Sequence, residues 1–432
     1  MTVPVNRIHE YALLAEVSYL RWDLVNQLVD EEIRVALTTE DRYRGELSPS
    51  QARAFADRWS VVDHLPNTDT GFSSTLFRNA DGRYVLAFRG TESFWDDLVV
   101  ADAGDIVRDG LAMKQIVDMY NEYQRLSAPP GSSYQVATLR LLEDETRAYE
   151  AAFAEAQDAY GTGEGSQALD FLRARDDVLV DSGEVYSIEF VDSRVHYSAE
   201  DPRADASGSL HGQTLDAVTG HSLGGHLAMA FSRLFGVEAL SINGAGFGAT
   251  RDAVSLADTT IANLFSMLQG RDSFDAGSIL NIYGDKGPEL VSQDGPYLFQ
   301  PGAHEAVFIE SLAGTTLGHG SGQMTDALAV FDVLAGLVPS LGAAQPGVAL
   351  ATVSRILESA ASPDDGSFGA VVDALADLLI TDGSLDQVER ETERMVSYAH
   401  LNRLVEAVSA LPPVDRQLID IAGFDSAQSL AE

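Results

Sequence analysis

The chain has 432 residues, enough for one large domain or for two to three smaller ones. Asp and Glu number 66 against 28 Lys and Arg, and a net charge of −38 repels phosphate backbones, so we expect no nucleic acid among its partners. Hydrophobic residues make up 45% of the chain, which excludes a disordered protein, and the absence of cysteine excludes disulfides, thiolate metal sites and a cysteine nucleophile.

The N-terminal part of the sequence predicts helices and then a hairpin. Arg7–Trp22 has the apolar spacing of an amphipathic helix. Ser48–Gln51 is typical of a capping box with proline at the first helical position, so a helix should run to about Trp59. The runs Ser74–Arg78 and Arg83–Phe88 are rich in β-forming residues and flank a turn that ends in glycine, which predicts a hairpin.

The middle of the sequence predicts a helical insertion at about 110–160. Its two helices would run from Gly110 to about Arg125 and over Val136–Tyr160, separated by a Pro-Pro-Gly sequence. The run Val178–Glu189 that follows is typical of β-structure.

Strands and helices then alternate, which is typical of a parallel sheet covered by helices on both faces. The predicted strands are Leu215–Thr219, Ala239–Ile242 and Ile279–Tyr283, and the predicted helices are Leu223–Phe235, Ile261–Gln269 and Gly322–Leu337. We therefore expect an α/β domain over 1–340 with a mostly parallel central sheet, followed by an all-helical extension over 341–432. The uncharged stretch Val333–Ser354 contains two prolines, which favours a helix end and a new helix over a transmembrane segment.

A serine nucleophile is indicated by Gly220-His221-Ser222-Leu223-Gly224-Gly225. This G-x-S-x-G pattern lies between a predicted strand and a predicted helix, the context that a nucleophile elbow requires. The glycines let strand and helix approach closely, and the helix N-terminus favours developing negative charge. Ser222 is the predicted nucleophile, and the amide of Leu223 is a predicted oxyanion donor.

A second oxyanion donor is expected in the loop after an earlier strand. Gly90-Thr91 follows the predicted strand Tyr84–Phe88, so Thr91 is the candidate, although an ordinary turn at a strand end fits the same pattern.

These motifs resemble class 3 lipases. The resemblance is carried by Tyr84–Glu92 with Trp95–Leu98, by Gly220–Gly225, and by Tyr11–Tyr19 in the opening helix. It covers about residues 7–340 and implies an α/β-hydrolase fold, a Ser-Asp-His triad and hydrolysis of lipid esters. It also extends to lipase-like domains of large secreted bacterial proteins, so we expect secretion without a cleavable N-terminal signal, with a cytoplasmic protein as the alternative.

The order of the triad in this fold is Ser, acid, His. Of the histidines after Ser222, His319 lies in a glycine-rich loop before a predicted helix and is favoured over His304. His226 lies on the helix of the elbow and should point along it, and His400 lies within a predicted helix. Asp285 ends a predicted strand and is the favoured acid, with Asp294 and Asp275 as alternatives.

The segment that follows Thr91 predicts an amphipathic flap. Phe94 and Trp95 would lie on one face of a short helix, where they could cover the substrate pocket in water and meet a lipid interface. A buried helix start that never moves is the alternative.

The expected function is therefore that of a serine carboxylester hydrolase acting on lipids or other esters. Phospholipase A1 and polyester hydrolase activities are alternatives, and a non-catalytic interaction module on a lipase scaffold is an alternative of another class. We expect no cofactor and no catalytic metal. A structural calcium ion is compatible with the acidic surface, but no motif specifies a site for it.

Overall fold

The computed structural model describes residues 5–25, 30–90, 111–158, 165–194, 208–248, 256–285, 298–309, 320–337 and 344–360. The chain divides into two compact units. One comprises Met1–Ser60, Leu280–Glu289 and Ala303–Glu432, and the other comprises Val61–Ile279 and Leu290–Gly302. We call them the first and the second unit.

Helices and strands occur throughout the described residues. The helices are α1 (Val5–Val17), α2 (Trp22–Val25), α3 (Asp30–Leu37), α4 (Glu40–Tyr43), α5 (Pro49–Arg58), α6 (Met113–Ser127), α7 (Glu143–Asp158), α8 (Asp170–Arg173), α9 (Leu223–Phe235), α10 (Ala257–Met267), α11 (Ser321–Leu337) and α12 (Pro346–Ala360). The strands are β1 (Trp59–Leu65), β2 (Ser74–Asn79), β3 (Tyr84–Phe88), β4 (Ser133–Leu141), β5 (Leu179–Asp181), β6 (Glu184–Arg194), β7 (Leu215–His221), β8 (Glu238–Ile242), β9 (Phe247–Gly248), β10 (Ile279–Gly284), β11 (Leu298–Phe299) and β12 (Ala303–Val307).

The second unit is built on a mostly parallel sheet in which β2, β3, β7 and β8 lie side by side in this order. The predicted hairpin is confirmed, because β2 and β3 pair antiparallel with Ser74 opposite Phe88. The pairs β3–β7 and β7–β8 are parallel. Every residue of β3 is buried, as expected of a strand covered on both faces.

The core of this unit joins the sheet to α6 and α9. Phe231 of α9 lies at its centre, with ring centroids 5.6 Å from Phe88 and 4.9 Å from Tyr123. Met113, Ile116 and other buried residues of α6 belong to the same apolar cluster. Each such side chain stabilises the fold by about 1.5–3 kcal/mol on burial, so this cluster fixes α9 against the sheet.

The predicted helix Val136–Tyr160 is wrong over its first part. Residues Ser133–Leu141 form β4, which pairs antiparallel with β6, while the helix α7 begins only at Glu143. Asn121 of α6 also bonds the β4 backbone, since its amide nitrogen donates to the Ala137 carbonyl at 2.9 Å and its oxygen accepts the Ala137 N–H at 2.7 Å. These partners are distant in sequence and override the helix propensity of the local residues.

The first unit contains a parallel pair, β10 and β12, in which Leu280 lies opposite Ala303. The predicted capping box at Ser48 is confirmed and opens α5. Its Gln51 also donates to Asp326 of α11 at 2.9 Å. These contacts join the N-terminal helices to α11 within the unit.

The uncharged stretch Val333–Ser354 contains a helix end and the start of a new helix, as predicted. The helix α11 ends at Leu337, and α12 begins at Pro346. Across the described ranges, no helix combines the length and apolar character needed to cross a bilayer. Of the expected helical extension 341–432, the described part is α12, and the division into domains at residue 340 stays a prediction.

Candidate active site

Ser222 occupies a strained backbone conformation between β7 and α9. Its φ of 57° and ψ of −122° lie in a region that residues with a side chain rarely adopt. The strand ends at His221 and the helix begins at Leu223, so Ser222 alone makes the turn. This is the geometry of the strand-to-helix elbow expected from the sequence.

Two glycines of the elbow lie against each other. A Cβ added at Gly220 would lie 2.2 Å from the carbonyl oxygen of Gly224, closer than any real Cβ contact. The same atom added at Gly224 would lie 2.2 Å from the carbonyl oxygen of Phe88, the last residue of β3. Any side chain at either position would therefore separate the strands from the first turn of α9.

The contact at Gly224 also locates the end of β3. Phe88 and Arg89 pack directly on the first turn of α9, and Gly90 is the last described residue before residue 111. The predicted oxyanion segment therefore starts beside the elbow. Thr91 itself lies outside the described residues.

The backbone of Ser222 is held from both sides. Its N–H donates to the Ile242 carbonyl at 3.0 Å, and its carbonyl accepts the Ala245 N–H at 3.1 Å. Gly225 and Gly244 make a further close approach, because a Cβ on Gly225 would lie 2.7 Å from the Gly244 Cα. The end of β8 and the turn that follows it therefore hold the backbone of the elbow in place.

The helix end at Ser222 favours negative charge. The first turn of α9 contains no acidic residue, and the N-terminal amides of a helix carry partial positive charge. The Leu223 side chain is buried in a small cluster with Ala245 and Leu298, and Ala112 packs against it. This packing fixes the peptide whose N–H is the predicted oxyanion donor.

His226 lies one turn after Ser222 and is fully buried. Its Nδ1 lies 3.1 Å from the Gly246 carbonyl and 3.3 Å from the Ala245 carbonyl, while its Nε2 accepts the Ala112 N–H at 3.3 Å. The ring stacks on Phe247 with centroids 4.1 Å apart. Burial lowers the pKa of the imidazole to about 4, although the two carbonyls oppose this shift.

The predicted acid Asp285 belongs to the first unit. It directly follows β10, and its N–H donates to the Val307 carbonyl at 2.9 Å. Its carboxylate accepts the Ile309 N–H at 3.1 Å. The side chain is thus held at the carboxyl end of a parallel strand pair, which is where sites of α/β sheets form.

The alternative residues have different surroundings. The carboxylate of Asp275 accepts the Ser278 hydroxyl at 2.8 Å and the Gly277 N–H at 2.9 Å, and these bonds lower the pKa of Asp275. It is therefore engaged in its own turn. His304 lies within β12 opposite Asn281, not at the carboxyl end of the strand.

Several predicted site residues lie outside the described residues: Thr91, Phe94, Trp95, Asp294 and His319. Their roles stay predictions. Among the residues that are described, no group of three or more His, Asp or Glu side chains could hold a metal ion.

Comparison with solved structures finds fungal lipases at low identity. A propeptide complex of the Rhizomucor miehei lipase is 14% identical, covers 71% of this chain and 66% of that chain, and has a TM-score of 0.29. The lipase from Rhizopus microsporus var. chinensis is 13% identical, with coverages of 70% and 74% and a TM-score of 0.30. Lip2 lipase from Yarrowia lipolytica is 14% identical, with coverages of 73% and 82% and a TM-score of 0.28.

No protein-family model matches the chain, and no curated protein matches it in sequence. The structural likeness to these lipases is weak, with TM-scores near 0.3.

The sequence motif located Ser222 and Leu223, but it did not reveal the partners of His226. These are backbone groups far away in the chain, at Ala112 and at residues 245–246. The available signal was a polar residue four positions after the nucleophile, within the apolar run Leu223–Phe231 of the helix.

Proposed function

We propose that this chain is a serine hydrolase that cleaves carboxylic esters, with Ser222 as the nucleophile. The strained conformation of Ser222, at a strand-to-helix turn closed by glycine contacts, is the observation that carries this proposal. A structural serine would gain nothing from such strain, which persists where it serves a site.

In the proposed reaction, the Ser222 oxygen attacks the ester carbonyl carbon while His319 takes its proton. The oxyanion that forms is held by the amides of Leu223 and Thr91. His319 then returns the proton to the leaving alcohol as the ester C–O bond breaks, and Asp285 holds the imidazole in the required tautomer. Water hydrolyses the acyl-enzyme by the same steps.

The position of His304 supports the choice of His319. His304 lies opposite Asn281 in the strand pair. Asn281 comes four residues before Asp285, so His304 lies about 13 Å from Asp285 along the strand direction at the usual rise of a strand. A histidine at that distance cannot donate to the Asp285 carboxylate. His319 follows β12 and precedes α11, in keeping with the chain order of the triad.

The substrate class rests on the resemblance to class 3 lipases, which favours lipid esters met at a lipid interface. Phe94 and Trp95 are the proposed residues of a flap over the pocket. Trp95→Ala should then reduce activity on emulsified long-chain esters much more than on soluble short-chain esters, because only the former bring the flap to an interface. Equal losses on both substrates would contradict this role.

The proposal is tested with the purified chain and a soluble ester such as p-nitrophenyl butyrate. Ser222→Ala should lower turnover by about 10⁴-fold or more while the protein stays folded. Ser232→Ala is the matched control, because this buried serine lies near the other end of α9 and should leave turnover unchanged. Full activity of Ser222→Ala would contradict the proposal, and a wild-type chain inactive on all esters would favour an interaction module.

A further inference from the structure

His226 connects three segments of the second unit that are remote in sequence. It lies on the first turn of α9, it bonds the turn at 245–246, and it bonds Ala112, which precedes α6. No solvent reaches it, and it has no place in the proposed reaction. A buried polar side chain that bonds three backbone groups has a definite task in the fold.

The partners of the ring determine which nitrogen carries the proton. Carbonyl oxygens only accept hydrogen bonds, so the Nδ1 that faces Ala245 and Gly246 must carry the hydrogen. The Ala112 N–H only donates, so Nε2 must be unprotonated. The contacts are therefore satisfied only by a neutral imidazole in the Nδ1–H tautomer, and a pKa lowered by burial keeps the ring neutral.

The two anchored segments contact the proposed catalytic groups directly. Ala245, whose carbonyl faces His226, donates its own N–H to the Ser222 carbonyl at 3.1 Å. Ala245 also belongs to the buried cluster of Leu223 and Leu298, and Ala112 packs against this cluster. A displacement of either segment would therefore move the backbone of Ser222, and with it the Ser222 hydroxyl or the Leu223 amide.

We propose that His226 is a positioning residue, which clamps Ala112 and the turn at 245–246 onto the first turn of α9 and so fixes the Leu223 amide. The part of this inference that concerns catalysis rests on the proposed function. Such a residue would not contact substrate. Its loss should therefore lower kcat and leave KM nearly unchanged.

The kinetic test uses His226→Leu, which has a side chain of similar size but removes the hydrogen bonds to all three backbone groups. We expect kcat to fall by about 100-fold, the effect of a misplacement of about 1 Å in a catalytic group, with KM changed less than about threefold. His226→Gln keeps an acceptor near the Nε2 position and should recover about tenfold of the loss. His64→Leu is the control, since it removes another buried histidine that bonds Thr75 at 2.9 Å, and its kcat should stay near wild type.

A second test does not depend on activity, and its first two measurements need no His226 variant. In the Ser222→Ala protein, ¹⁵N NMR should show that the His226 ring is protonated at Nδ1 and unprotonated at Nε2. The Ala112 amide should exchange slowly with solvent, and in Ser222→Ala/His226→Leu it should exchange at least about tenfold faster.

These measurements separate the two proposals. A wild-type kcat in His226→Leu, or an Nε2–H tautomer, overturns the role of His226 and leaves the proposed function standing. A chain that cleaves no ester overturns the proposed function, while the tautomer and the Ala112 exchange still decide whether the clamp exists.

Discussion

The elbow and the antiparallel sheet of β4, β6 and β5 are both part of the second unit, yet they are stabilised in different ways. At the elbow, the backbone of α9 contacts the backbone of β3 directly, and a Cβ on Gly224 would lie 2.2 Å from the Phe88 carbonyl oxygen. In the antiparallel sheet, Gly183 makes the turn between β5 and β6 with a φ of +88°, and an added Cβ would meet nothing within 4 Å. One glycine is required by close contact and the other by its backbone angle alone.

The difference indicates where the chain tolerates change. The elbow depends on short contacts between segments that are buried and cannot relax. The antiparallel sheet depends on its strand register, and side-chain pairs on it such as Arg140 with Glu189 are exposed to solvent. Substitutions should therefore be costly at the elbow and mild in the antiparallel sheet.

The largest expected difference is between substitutions at Gly224 and at Gly183, in both turnover and stability. Gly224→Ala should lower ester turnover by about 100-fold and stability by about 3 kcal/mol, because β3 and α9 must separate. Gly183→Ala should lower stability by about 1 kcal/mol, the cost of a positive φ with a Cβ, and leave turnover unchanged. Urea denaturation and turnover measure both, and equal losses in the two variants would contradict the comparison.

The stability of the fold should depend on pH through His226, by an amount similar to the loss expected for Gly224→Ala. Its pKa is 6.5 in an unfolded chain and about 4 in the fold, so between these pH values only the unfolded chain takes up the proton. Stability is lost as the pH falls through this window, by about 3 kcal/mol in total. Denaturation at pH 7 and at pH 4.5 should therefore show a smaller loss in His226→Leu than in wild type, and identical losses would contradict the expectation.

A smaller effect is expected at Asn121. Its amide bonds both the N–H and the carbonyl of Ala137, at the edge strand β4, as a neighbouring strand would. Asn121→Ala leaves both groups unpaired and should lower stability by about 2 kcal/mol, with turnover on soluble esters unchanged. A loss of turnover with unchanged stability would contradict the separation of the two regions.

The smallest effect is expected at the ion pair of Arg140 with Glu189, whose atoms are 2.8 Å apart. Both side chains are more than half exposed, so solvent screens the pair. A double-mutant cycle with Arg140→Ala and Glu189→Ala should give a coupling of about 0.5 kcal/mol or less. A coupling of 2 kcal/mol or more, on the order of a buried pair, would show that this sheet is less tolerant than proposed.

The elbow could be predicted because its requirements are local. The glycines and the serine are adjacent in sequence, and a strand and a helix flank them directly. The capping box at Ser48 and the hairpin of β2 and β3 were predictable for the same reason. Contiguous residues determine each of these features.

The parts that could not be predicted depend on distant partners. Val136–Leu141 has the composition of a helix, but its strand is determined by pairing with β6 and by Asn121. His226 is a polar residue among the apolar residues of the first turns of α9, and nothing near it in sequence indicates that Ala112 and Gly246 bond it. Such residues satisfy their hydrogen bonds only once the sheet and helices are assembled.

The proposal that Ser222 is an activated nucleophile is tested most directly by a fluorophosphonate probe. The account predicts rapid labelling of the native chain at a single serine, which peptide mass spectrometry identifies as Ser222, and no labelling of Ser222→Ala. Labelling at another serine, or no labelling of the folded wild-type chain, would contradict it.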